Sequence, residues 1–266
     1  MWLRRISTWV GLAFVVMACP PFPWGVDVLF GLVFLVWFSS TNRRQSKRRS
    51  GGFGTAITAV FVLLLLCLST IEFVHRQVPT ITGQKSDHLV VIGDSISAGL
   101  GVTPHPWPDV MREMTGIEVI NLSKPGATMK DGIAMAAHVA PEDHLVLIEL
   151  GGNDLISGGP SSDFERALGT VTAKLAAPGR TLVMFELPLM PQMVSYGQVQ
   201  RRLAKKYGIW LIPKRCLARV LSTKDATSDG LHLTDIGARR MATLVVEVLA
   251  PVLKVQSGAT SPATRP

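Results

Sequence analysis

Two patterns of apolar and polar positions divide this chain. Up to about residue 78 the apolar residues come in long runs, 6–22, 24–40 and 53–74, broken by Pro20-Pro21-Phe22-Pro23 and by the basic stretch 42–49. From about residue 80 the runs become short and rich in β-branched residues: 88–92, 117–121, 145–150, 181–185 and, more weakly, 209–212. Amphipathic stretches near 107–114, 130–139, 162–175 and 197–207 lie between them, and a last helix is expected from about Thr234 to Leu249, with the threonine as its N-cap. Strands separated by helix-length segments pair in parallel through right-handed crossovers, so the pattern predicts an α/β domain with a doubly wound parallel sheet and helices on both faces over residues 79–252. Residues 253–266 read as a disordered tail.

The N-terminal runs change the picture from a simple globular chain to an anchored one. A bilayer core of about 30 Å needs about 20 helical residues, so residues 53–74 predict a transmembrane helix and the two shorter runs a tight hairpin before it. The three together make residues 1–78 a membrane anchor. A rival reading takes Met1–Cys19 as a secretory or lipoprotein signal with Cys19 as the lipidated residue, although the prolines after that cysteine argue against cleavage.

Charge sharpens the topology. Of the formal net charge of +8, +6 falls within the first 80 residues, on Arg4, Arg5, Arg43, Arg44, Lys47, Arg48, Arg49 and Arg76 against Asp27 and Glu72. Basic clusters stay in the cytoplasm, so the pattern places the N-terminus inside, the Pro-rich turn outside, and everything after about residue 75 on the periplasmic or extracellular side of the inner (cytoplasmic) membrane. The remaining +2 leaves no basic face with interleaved aromatics, and nucleic acid is excluded as a partner despite a pI near 9.8. Cys19, Cys67 and Cys216 have neither disulfide nor metal-ligand spacing.

In doubly wound sheets ligands bind beyond the carboxyl ends of the strands. There the chain carries Gly93-Asp94-Ser95 after the first run, Ser123-Lys-Pro-Gly126 after the second, Gly151-Gly152-Asn153-Asp154 after the third, and Asp229-Gly-Leu-His232 before the last helix. Each alone is an ordinary turn or cap. Together they supply a nucleophile, Ser95, a base suited to near-neutral pH, His232, and a carboxylate, Asp229, three residues away to hold the imidazole. The N–H groups of Ser95 and Gly126 and the amide of Asn153 are the expected donors to an oxyanion. The run after the fourth strand, Glu186 to Tyr196, carries Leu189, Met190, Met193 and Val194, apolar side chains expected to border an acyl-binding surface.

With these motifs in place, the chain resembles the SGNH, or GDSL-like, hydrolase superfamily over about residues 88–250. The name-giving residues correspond to Ser95, Gly126, Asn153 and His232. The likeness runs to the branch of thioesterases, lysophospholipases and arylesterases through Val91-Ile-Gly-Asp-Ser-Ile-Ser-Ala-Gly99 and Ile148-Glu-Leu-Gly-Gly-Asn-Asp154. It implies a three-layer, flavodoxin-like α/β fold and a serine esterase or acyl hydrolase, acting without metal or organic cofactor through an acyl-enzyme on a small-molecule or lipid acyl ester. The alternative is a carbohydrate O-acetyl esterase, or an O-acetyltransferase needing a membrane acyl-transfer partner. The anchor departs from the simple signal peptide of that branch.

Overall fold

The computed structural model describes residues 24–43, 53–100, 104–190 and 193–254. The expected span 6–22 and Cys19 lie outside them. The chain divides into two units, residues up to 77 with 190–194, and 78–189 with 195 onward.

In the first unit, helix α1 (Trp24–Arg43) packs on helix α2 (Phe53–His75). Phe61 is the buried pivot, with ring centroids 5.1 Å from Trp37 and 5.5 Å from Phe30. Around that pivot both helices leave large apolar side chains exposed, among them Leu32, Leu35, Leu63, Leu66 and Phe73. Counted over the described residues, no helix is long and apolar enough to cross a membrane.

The second unit is the α/β domain. Strands β1 (His88–Gly93), β2 (Glu118–Asn121), β3 (Leu145–Glu149), β4 (Thr181–Phe185) and β5 (Trp210–Ile212) form one sheet in the order β2-β1-β3-β4-β5, every pair parallel. This is the expected doubly wound sheet, and the weak run at 209–212 is its edge strand. β3 and β4 are buried throughout, as continuous apolar runs covered on both faces must be. One face, carrying Leu89, Val91, Leu145, Leu147 and Val183, packs under α4 (Trp107–Thr115), α9 (Lys214–Leu221) and α10 (Asp235–Leu249). Alternate residues such as Val90, Ile92, Val146 and Ile148 turn to the other side. There α5 (Gly132–Ala136) packs on β1 and on α7 (Ser161–Leu175), and α7 buries Phe164, Leu168 and Val171.

Local differences from the expected elements have local causes. The stretch 130–139 yields only the short α5, entered through a turn in which Thr128 N–H and Oγ1 donate to the Asp131 carboxylate. Helix α8 (Val194–Tyr207) begins earlier than 197, so Val194 and Tyr196 belong to a helix and not to the loop. Two short helices absent from the sequence pattern, α3 (Ser95–Ala98) and α6 (Gly152–Ser157), start directly after β1 and close after β3. At the C-terminal end, Leu253 is buried and Lys254 N–H donates to the Ser86 carbonyl, so the folded domain runs two residues past 252.

Candidate active site

The site is built where β1 and β3 lie side by side but their connections leave in opposite directions, with β2 on one side and β4 on the other. A crevice at such a switch point is where open α/β sheets hold ligands. After β1 the chain turns sharply into α3. Gly93 is required there, since a Cβ would stand 2.6 Å from Ser97 Oγ and 2.8 Å from Ser123 Oγ. Asp94 caps the helix by accepting from Ile96 N–H at 3.0 Å, and Ser95, its first residue, is 7% exposed.

After β2, Lys124-Pro125-Gly126-Ala127 forms a Pro–Gly turn closed by Ala127 N–H to the Lys124 carbonyl, with Gly126 at φ +74°. That is the position a type II turn reserves for glycine. This turn is clipped to the one after β3: Asn153 Nδ2 donates to the Ala127 carbonyl at 2.9 Å, and Met129 N–H donates to Asp154 Oδ2 at 2.8 Å. Asn153 Nδ2 also lies 3.3 Å from Asp94 Oδ2. The loops bearing Ser95, Gly126 and Asn153 are thereby tied into one rim.

His232 arrives on a hairpin-like loop closed by Ser228 N–H to the His232 carbonyl and Thr234 N–H to the Ala226 carbonyl, with Gly230 at φ +88° near its tip. Asp229 Oδ1 accepts from the N–H groups of His232 and Leu231 at 2.8 and 3.0 Å, while Oδ2 lies 2.6 Å from His232 Nδ1. These bonds, the His232 N–H first, hold the Asp229 carboxyl down at about 2. It is an anion at neutral pH, so Nδ1 carries the proton and Nε2 is left as the basic nitrogen. A positive charge on His232 favours the ionised form of Asp94. Among the described residues no hydrogen bond joins Ser95 Oγ to His232. Such bonds are often long in a free enzyme and tighten with substrate.

Asp94 has the opposite environment. Burial pushes its carboxyl up to about 6, against the pull of Ile96 N–H and His232, with Asp154 adding to the rise. Beneath it lies Glu149, the last residue of β3 and 4% exposed, whose carboxyl burial pushes well above the ordinary range. The sequence offered no sign of this group beyond its place in the strand.

In the run after β4, Leu189 and Met193 are half-buried and Met190 is exposed. The side chain of that run that reaches the Asn153 turn is Leu187, unremarked in the sequence: a Cβ on Gly151 would stand 2.8 Å from it. Behind the turn a cavity of about 460 Å³ is bordered by Thr128, Lys130, Asp154, Gly159, Phe164 and Tyr196. A larger groove of about 700 Å³ along α9 and α10 is lined by none of the candidate residues. Among the described residues no group of three His, Cys, Asp or Glu side chains could hold a metal ion.

The GDSL-like lipase/acylhydrolase family matches residues 91–240 of the chain, which contain all four turns. Esterase TesA of Pseudomonas aeruginosa is 33% identical over 117 residues, 41% of this chain and 57% of that protein, so in this match the chain spans less than two thirds of its relative. Thioesterase 1/protease 1/lysophospholipase L1 of Escherichia coli is 24% identical over 172 residues, 61% of this chain and 83% of that protein. The crystal structure of TesA has a TM-score of 0.55 to this chain at 28% identity, covering 62% of this chain and 99% of the other.

Proposed function

The chain belongs to the GDSL-like lipase/acylhydrolase family, and from that premise we propose that it is a serine ester hydrolase, of esterase, thioesterase or lysophospholipase type, with Ser95 as the nucleophile. The observation that carries this reading is the Asp229–His232 pair, an ionised carboxylate fixed by two backbone N–H groups and holding the imidazole at 2.6 Å. His232 Nε2 takes the Ser95 proton as Oγ attacks the acyl carbon, and the departing alkoxide or thiolate receives that proton. Water, deprotonated by the same nitrogen, then releases the acid and restores Ser95. The charge that builds on the acyl oxygen meets the N–H groups of Ser95 and Gly126 and the Asn153 amide, which keeps its bond to the Ala127 carbonyl and turns its second N–H from Asp94 Oδ2 to the oxyanion.

The finer reading is that the enzyme is held at a membrane by its N-terminal segments and works outside the cytoplasm on acyl esters near the lipid. Its support is the run 53–74, with Glu72 as its one charged residue, and the basic flank at 42–49. The apolar side chains exposed around Phe61 fit a lipid environment better than water. Leu189, Met190 and Met193 are proposed to contact the acyl chain.

The test is a series of p-nitrophenyl esters from acetate to octanoate. Rates that hold or rise with chain length are expected. Activity confined to acetate or to acetylated polysaccharide would overturn the lipid-side reading in favour of a carbohydrate O-acetyl esterase.

A further inference from the structure

Resting on the reading of Ser95 as nucleophile, we propose that Glu149 is a positioning residue for it: one buried carboxyl grips the β1–α3 turn on both sides of the serine. On the near side, the backbone N–H of Asp94, the residue just before Ser95, faces the Glu149 carboxyl and favours its charged form. On the far side, the hydroxyl of Ser97, two residues after it, donates to Glu149 Oε2 at 2.7 Å. Ser97 is itself fully buried and accepts from Trp107 Nε1 at 3.0 Å, and its carbonyl accepts from Asn121 Nδ2 at 2.9 Å.

The register explains how one side chain can do this. Glu149 lies directly across from Gly93 on the adjacent parallel strand, so it stands under the point where the chain leaves the sheet to make the turn. Gly93 cannot carry a side chain into that space, and α3 is a single turn whose one apolar anchor is Ile96 in the core below it. A carboxyl placed in an apolar sheet at a desolvation cost would be expected to give way to an apolar residue unless its acceptors were needed. Here both are used, and both partners are within two residues of the nucleophile. Burial first, and the neighbouring Asp94 carboxyl second, favour the protonated form of Glu149, which still offers lone pairs to the Asp94 N–H and the Ser97 hydroxyl. What Glu149 supplies is therefore acceptor geometry and not charge, and its loss lets the turn relax while the substrate surface stays in place. A nucleophile shifted by a fraction of an ångström to 1 Å loses up to about 10²-fold in rate.

The experiment measures, on the full chain, the rate of Ser95 phosphonylation by a fluorophosphonate, together with kcat and KM on a p-nitrophenyl ester and a thermal melt. Glu149→Ala and Ser97→Ala are expected to slow both labelling and kcat by about 10- to 100-fold, with KM little changed and the melt still cooperative. Glu149→Gln, whose amide keeps an acceptor for one of the two partners only, is expected to fall between the Ala variant and the parent. Labelling of Glu149→Ala at the wild-type rate, or a Gln variant as slow as the Ala variant, overturns the proposal. Should Glu149→Ala fail to fold, Ser97→Ala decides: wild-type labelling there overturns the grip. Ser95→Ala run alongside separates the two levels, because undiminished labelling of that variant would remove Ser95 as nucleophile, whereas its loss with an indifferent Glu149 would sink only this inference.

Discussion

Two aspartates on one rim meet opposite fates. Asp229, exposed, is drawn down to about 2 by the N–H and ring of His232 and the N–H of Leu231; Asp94, 3% exposed, is pushed by burial up to about 6 from an ordinary value of 3.8. The consequence for stability follows from the direction of the second shift. A carboxyl that holds its proton more tightly when folded contributes fully below pH 4, and that contribution is lost as the pH rises through 6. Asp94→Asn removes this loss, up to about 3 kcal/mol, while keeping a side chain able to cap α3. The melting temperature of the variant relative to the parent is expected to rise between pH 4 and pH 7 in a series of thermal melts. A difference constant with pH would mean that Asp94 does not titrate as its burial implies. Ser95, Asp229 and His232 could be named as candidates from the sequence because each stands in a polar turn between apolar runs. Glu149 was not, because its burial is created by the neighbouring strand and its Ser97 partner lies 52 residues away.

At the scale of elements, the loop that carries His232 depends on how α10 begins. Thr234 caps the helix by accepting from Gly237 N–H at 3.4 Å and donates its hydroxyl to the Asp225 carbonyl at 2.6 Å. A Cβ on Gly237 would stand 2.0 Å from the Ala226 carbonyl oxygen, backbone that belongs to the base of the same loop. Gly237→Ala must therefore push helix and loop apart. It is expected to destabilise the domain by about 1–3 kcal/mol in denaturant unfolding and to lower kcat through the displaced imidazole. Unchanged stability would show that the loop yields freely. The Thr234 cap was readable from sequence and the need for Gly237 was not, since the clash is with backbone eleven residues earlier. The short helices α3 and α6 were missed for a related reason: a single turn has no periodicity, and these two are set by the Asp94 cap and by Gly151 at φ +116°.

For the molecule as a whole, strand content and parallel pairing followed from the alternation of short runs with helix-length segments. The order β2-β1-β3-β4-β5 is that of the flavodoxin-like sheet implied by the family resemblance, and it sets side by side the strand ends that lead into Ser95 and Asn153. The N-terminal 78 residues bear on where the chemistry happens. If the basic stretch 42–49 lies in the cytoplasm, a reporter active only outside it is expected to be active when fused after residue 80 and silent when fused near Gln45. The reverse pattern would place the catalytic domain in the cytoplasm. The central claim is chemical, and it is tested most directly by trapping the intermediate. The enzyme is mixed with a p-nitrophenyl ester, quenched in acid during the first turnover, digested and weighed peptide by peptide. The acyl mass is expected on the peptide containing Ser95, with one nitrophenol released per enzyme in a burst, and both are expected to vanish in Ser95→Ala. Hydrolysis that persists in Ser95→Ala, or an acyl group found on another residue, would contradict the account.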